Sequence, residues 1–304
     1  MQNTAGNQTA ETKPPLLWLQ TSIFSLTMLV AVIGVPWYAI SVGFEWSAWI
    51  AFWLYYFATG IAITAGYHRL WSHNSYKAHP ILRVILAALG AAAIQNSIIV
   101  WASGHRDHHR CVDDPDHDPY SVKRGLWFSH MGWMLRDYES GIVNLANVPD
   151  IERDSIARFQ HDHYIKIVLF MNFAPWMLMG YFSGDYLANF LLVGVLRLVV
   201  GHHTTFFINS LAHYWGKQPY SEECTARDNG FLALFTHGEG YHNYHHCFQN
   251  DYRNGIRWFH WDPTKWLIFT GSLVGLTSNL RRIPQEKIAA AKQTLEQMRN
   301  PANA

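Results

Sequence analysis

The chain has 304 residues, with 23 Lys and Arg against 22 Asp and Glu, so its net charge is +1. Hydrophobic residues make up 49% and charged residues only 15%, where an average soluble domain carries about 25% charged residues. This balance excludes a nucleic-acid-binding footprint, long disorder, a coiled coil or a collagen-like repeat as a description of the whole, and three cysteines without a CxxC pair exclude a disulfide framework.

Residues 1–15 are mostly polar and end in Lys-Pro-Pro. They read as a disordered lead-in, without the basic region and cleavage site of a signal peptide. Apolar runs follow at 16–40, 46–67, 80–103, 164–182 and 186–208, each near the roughly 20 residues that a bilayer-spanning helix needs. The connections at 41–45 and 183–185 are short and contain no Lys or Arg, which makes two helical hairpins. Basic residues gather at the open ends of the hairpins, from Arg69 through Arg158 and from Lys217 onward. The positive-inside rule therefore places the open ends in the cytoplasm. The stretch 265–280 is too short and too broken to span and is expected at the membrane surface. Residues 281–304 read as a solvated amphipathic helical tail after a single membrane domain over 16–280.

Nine of the 18 histidines fall into four patterns. His68 and His73 form HxxxxH. His105, His108 and His109 form HxxHH, and so do His242, His245 and His246. His213 follows Asn209 by four residues. On a helix, positions i, i+3 and i+4 share a face, so each HxxHH is expected to aim all three rings into one pocket. HxxxxH suits a helix end, where the chain can bend, and His68 sits just past the 46–67 run. The other nine, His79, His117, His130, His161, His163, His202, His203, His237 and His260, read as ordinary core or surface residues.

The histidines also decide the third run. If 80–103 crossed the membrane, His68 and His73 would lie on the opposite side from His105, His108 and His109. It is therefore expected to lie along the membrane surface or cap the site, which leaves four spans. Nine histidines exceed the four to six ligands of one metal and suit two. Neutral imidazole binds Fe, Zn, Cu or Ni, so the ligands alone leave the metal open. A site at this level can meet an acyl chain, whose methylenes have no acidic proton for acid–base catalysis to remove. Oxygen activation at iron can take hydrogen from them. Asp107, Asp113, Asp228 and Glu239 are the nearest carboxylates for orienting the imidazoles.

The segments GYHRLWSHNSY (66–76), GHRDHHR (104–110), NSLAH (209–213), RDNG (227–230) and GEGYHNYHH (238–246) resemble the membrane-bound fatty acid desaturases of the stearoyl-CoA Δ9 type. FQNDYRNG (248–255) and WDPTKW (261–266) continue the resemblance. It implies an all-α membrane protein with four spans in two hairpins and a cytoplasmic helical cap holding a di-iron centre. The implied activity is oxygen-dependent insertion of a cis double bond, at Δ9, into a saturated acyl chain, with acyl-CoA as the favoured carrier. By resemblance, His68, His73, His105, His109 and His245 hold one iron. His108, His213, His242 and His246 hold the other, with Asn209 acting through water. Trp101 and Asn96 resemble positions around the substrate, and Tyr56 resembles one near the blind end of an acyl tunnel.

The pattern departs from animal acyl-CoA members where they place CoA-contacting pairs. Ser103 and Gly104 stand at one such pair, and Arg136-Asp137-Tyr138 follows Gly132-Trp133-Met134-Leu135 at the other. The acyl carrier thus stays open between CoA and a membrane lipid. The expected partners are this acyl substrate, membrane lipids and a separate electron donor of ferredoxin, rubredoxin or haem-protein type, and no nucleic acid. The alternatives are a di-iron membrane hydroxylase and, more remotely, a histidine-rich metal transporter.

Overall fold

The computed structural model describes residues 13–300. Most of the expected lead-in, together with the last four residues, lies outside them. Four helices are long and apolar enough to cross a membrane: Trp18–Ser41, Trp46–Ser72, Tyr164–Ser183 and Tyr186–His213. They begin close to the expected limits but run further at the inner ends, by five residues in the second and fourth spans (67 against 72, 208 against 213). Those extra turns carry His68 and His213. The chain is therefore an all-α multi-pass membrane protein.

The fourth span packs against the other three. Tyr38, Phe52, Leu191 and Leu192 are buried where the spans meet. At the hairpin tips the Tyr38 hydroxyl donates to Asp185 and ties the two loops together. The outward faces remain apolar and exposed, as lipid contact requires, with Leu19, Ile40, Trp46 and Phe182 among them.

The run 80–103 is not one segment. Pro80–Ala91 is a helix of 12 residues, too short to span, and Ile98–Cys111 is a second helix. Between them Ile94 and Asn96 adopt positive φ, +51° and +73°, which breaks the helix sharply. Pro80–Ala91 buries Leu86, Ala87, Gly90 and Ala91 and leaves Ile81, Val84 and Ile85 exposed. Gly90 allows the close approach, since a Cβ there would lie 2.3 Å from the Tyr67 ring.

The remaining chain forms a cap of short helices over the inner ends of the spans. Helix Pro263–Leu273 keeps Phe269 and Leu273 exposed, and Lys77–Ala78 pairs antiparallel with Thr277–Ser278. The final helix, Gln285–Arg299, is amphipathic as expected but is not simply solvated. Ile288 and Leu295 are buried, and Ile288 packs with Tyr220 and Tyr244. Arg299 pairs with Glu222 and donates to the Gln218 carbonyl 3.0 Å away.

Candidate metal centre

The nine patterned histidines converge at the junction of spans and cap. They form two groups, His68, His73, His105, His109, His245 and His108, His213, His242, His246. Within each group the ligand atoms lie within 4.8 Å of one another. His68 Nε2 lies 3.0 Å from His245 Nε2, His245 Nε2 lies 2.9 Å from His109 Nε2, and His73 Nε2 lies 2.8 Å from His105 Nε2. In the second group His242 Nε2 is 3.1 Å from His213 Nε2 and 3.2 Å from His246 Nε2.

These spacings test whether a metal fits. Two nitrogens bound at about 2.1 Å and at right angles lie about 3.0 Å apart, whereas tetrahedral binding separates them by about 3.4 Å. The observed separations are short enough for the nitrogens of each group to share one ion. A cation also resolves an electrostatic problem. Nitrogen lone pairs at these distances oppose one another unless a proton or a metal lies between them.

Local structure explains how each pattern reaches the site. Ala62–Ser72 is a π-helix, and the His73 amide donates to the His68 carbonyl at 3.1 Å. A backbone bond spanning five residues stacks position i+5 over position i, which is what HxxxxH needs. The HxxHH boxes sit on helices Ile98–Cys111 and His242–Cys247, but neither aims three rings into one pocket. His105 and His109 enter one group and His108 the other, and His242 and His246 part from His245 in the same way. Positions i and i+4 lie about 40° apart around a helix, while i+3 and i+4 lie about 100° apart, so one box reaches two pockets.

Carboxylates hold the rings from behind. Glu239 Oε2 lies 3.0 Å from His68 Nδ1, and Asp118 Oδ1 lies 2.8 Å from His108 Nδ1. His213 Nδ1 lies 2.9 Å from Thr225 Oγ1, which donates to Asp113 Oδ1 at 2.5 Å. The Asp118 and Thr225 contacts place the proton on Nδ1 and leave Nε2 free for a metal. Of the four carboxylates expected here, Glu239 acts directly and Asp113 acts through Thr225. Asp107 instead pairs with Arg110, and Asp228 accepts from the Tyr244 amide at 3.0 Å. Burial pushes the Asp228 carboxyl up to about 7. Asp118 has no sequence signal, because a loop carries it back to His108 from ten residues away.

Arg69 and Asn254 in turn hold Glu239. Arg69 donates to Glu239 Oε1 at 2.8 Å and to Asp262 Oδ2 at 3.1 Å, while Asn254 donates to Glu239 Oε2 at 2.6 Å. Lys265 donates to the Gly255 and Arg257 carbonyls at 2.7 and 2.9 Å. Burial raises the Glu239 carboxyl, but His68 and Arg69 outweigh it and hold the group well below the usual range. Burial, then neighbouring imidazoles, keep His73, His105, His109, His245 and His246 well below the usual histidine value. For His242 the same causes bring it to about 3. These six rings are therefore neutral, as metal ligation requires.

A cavity lies next to this centre, between the second and fourth spans. Thr59, Gly60, Gln95, Arg197, Thr205 and His237 are among its lining residues. Trp101 links it to the histidines. Its ring stacks on His105 with centroids 4.9 Å apart, and its Nε1 donates to Gln95 Oε1 at 3.3 Å. Gln95 Nε2 donates in turn to Thr205 Oγ1 at 2.9 Å. Gln95 thus lines the cavity, whereas its neighbour Asn96 is exposed. Tyr56 is buried behind the lining, donates to the Phe235 carbonyl at 2.9 Å and packs beside His237. Asn209 is half-buried at the end of helix Arg197–Asn209, one turn before His213.

The sequence model of the fatty acid desaturase family matches residues 45–270, which include all nine histidines. The chain belongs to the fatty acid desaturase family. Among relatives within and around this family, the chain is 45% identical over 276 residues to "Acyl-CoA desaturase 1" of Saccharomyces cerevisiae, covering 88% of this chain and 54% of that protein. It is 44% identical over 274 residues to "Probable acyl-CoA desaturase" of Schizosaccharomyces pombe, covering 90% and 56%. "Stearoyl-CoA desaturase 5" of Bos taurus is 34% identical over 284 residues, covering 91% and 83%. The chain thus spans about half the length of the two yeast relatives.

Proposed function

We propose that this family member is an oxygen-dependent acyl desaturase that places a cis double bond at Δ9 in a saturated acyl chain, with acyl-CoA as substrate. The observation that carries the reading is the link from cavity to histidines through Gln95, Trp101 and His105. Acyl-CoA is favoured by the names of the relatives. The positive-inside pattern puts the site on the cytoplasmic side.

Two iron ions bound at the histidine groups, with dioxygen, would supply hydrogen-atom removal from an unactivated methylene. His68, His73, His105, His109 and His245 would hold one ion, and His108, His213, His242 and His246 the other, with Asn209 acting through water. Asp118 and the Asp113–Thr225 pair hold protons on Nδ1 of His108 and His213, with Glu239 beside His68 Nδ1, and so keep those Nε2 atoms available. Trp101, Gln95 and Thr205 would fix which part of the chain lies beside the metals. The spans and the cap keep bulk water from that chain. In balance, two hydrogens leave adjacent carbons, two electrons come from a separate donor protein and two protons from water, and dioxygen ends as two water molecules.

A lipid-borne acyl group is the second reading, favoured by one observation. Ser103 is buried, donates to the Asn144 carbonyl at 2.8 Å and faces the chain's own backbone. It offers nothing to a CoA head group. The test is a fatty acid profile by gas chromatography and mass spectrometry, from desaturation-deficient cells expressing the chain or His108→Ala. New Δ9 monoenes absent from the variant are expected. Hydroxylated products, or none despite expression and a working electron donor, would overturn the reading.

A further inference from the structure

The histidine centre meets water at the protein surface, apart from the cavity between the spans. A surface mouth of about 300 Å³ is lined by Ser72, His73, Arg106, His109, Arg110, Gln249 and Asn250. Every lining residue is polar, so an acyl chain gains nothing by entering. The cavity between the spans, by contrast, includes none of the nine patterned histidines in its lining. The mouth reaches two of them, and His73 and His109 both belong to the five-histidine group.

One wall of the mouth is rigid. Arg106 donates to the Trp71 and Ser72 carbonyls at 3.1 and 3.0 Å, to the Asn147 carbonyl at 2.8 Å and to Asp150 at 2.7 and 2.8 Å. A guanidinium held at all its nitrogens does not swing across the opening. The opposite wall, Gln249 and Asn250, is exposed and follows helix His242–Cys247 directly. The opening is therefore preformed.

We propose that this mouth is the aqueous port of the metal centre, through which metal ions, protons and water exchange with the five-histidine pocket. The inference rests on the desaturase reading, in which each turnover draws two protons from water and releases two water molecules. It makes the two metal positions unequal. One communicates with water through a polar port, whereas none of the ligands of the other, His108, His213, His242 and His246, lines that port.

The test uses the full chain, purified with its metal in lipid nanodiscs, and follows release of ferrous ion to a sulfonated phenanthroline chelator. Two phases of equal size are expected. Gln249→Trp and Asn250→Trp should each slow only the faster phase, on the order of tenfold, and the Gln249→Ala/Asn250→Ala double variant should speed it. Gly201→Leu fills the other cavity, where a Cβ meets no neighbour within 4 Å, and should leave both phases unchanged. A fast phase indifferent to all the mouth variants, or one slowed by Gly201→Leu instead, would overturn the port while leaving the desaturase reading intact. A purified chain that binds no metal at either group, even after incubation with ferrous ion, would overturn both.

Discussion

His108 and His109 are adjacent in the chain yet face different pockets, their rings 5.7 Å apart and inclined at 78°. A single helix thereby supplies ligands to both groups. The two substitutions should therefore act on different pockets. His108→Ala leaves three histidines in its group and His109→Ala leaves four in the other. Each is expected to lower bound metal from two ions toward one, with loss of product formation. Metal analysis of the purified variants checks this, and loss of both ions from either variant would show that the pockets bind only together.

Asp118 supports His108 without reaching the metal position. Asp118→Asn keeps the side-chain shape but removes the charge that stabilises the Nδ1 proton. Metal affinity of the four-histidine group is expected to fall by about 10- to 100-fold, the usual effect of losing such a partner. Competition against a chelator of known affinity measures it. Asp107→Asn, which touches no patterned histidine, should leave affinity unchanged.

Gly90 lets helix Pro80–Ala91 lie against Tyr67. The added methyl of Gly90→Ala would fall 2.3 Å from that ring, and overpacking of this kind costs about 1–3 kcal/mol. A lowered thermal midpoint in detergent is expected, together with reduced metal retention, because Tyr67 precedes His68. An unchanged midpoint would mean that the helix can move aside.

Acid should destabilise the metal-free chain. Burial holds His73, His105, His109, His245 and His246 well below their ordinary value when folded. Unfolding returns them to about 6.5. Below that pH the unfolded chain binds more protons than the folded one, so stability falls as pH falls. The thermal midpoint of chelator-treated protein should drop between pH 7.5 and 5.5. A flat profile would show that these imidazoles are protonated in the fold.

The local features of the site were legible in the residues. Apolar runs bounded by short loops without Lys or Arg locate the spans, because a helix in lipid must satisfy its own backbone. Histidine spacing marks the metal-binding chemistry, because ligands on one helix must share a face or adjacent faces. The limits were less clear. The apolar run at 80–103 hides a break at Ile94 and Asn96, which adopt positive φ without a Gly or Pro at either position, where the turn is held to the fourth span by Arg197, His202 and Thr205.

What only the tertiary structure decided are the contacts between distant segments. The division of each HxxHH box depends on where the facing rings stand, and those come from other segments of the chain, as far as 136 positions away for His109 and His245. Asp118 reaches His108 through a loop, Gln95 reaches Thr205 across 110 positions, and Ile288 docks on Tyr220 and Tyr244. None of these pairs leaves a periodic trace in sequence. Helix and span geometry is set by neighbours along the chain, which composition and spacing report. Imidazole orientation and access to water are set by whichever side chains the fold brings alongside, and these are specified only once spans and cap have packed.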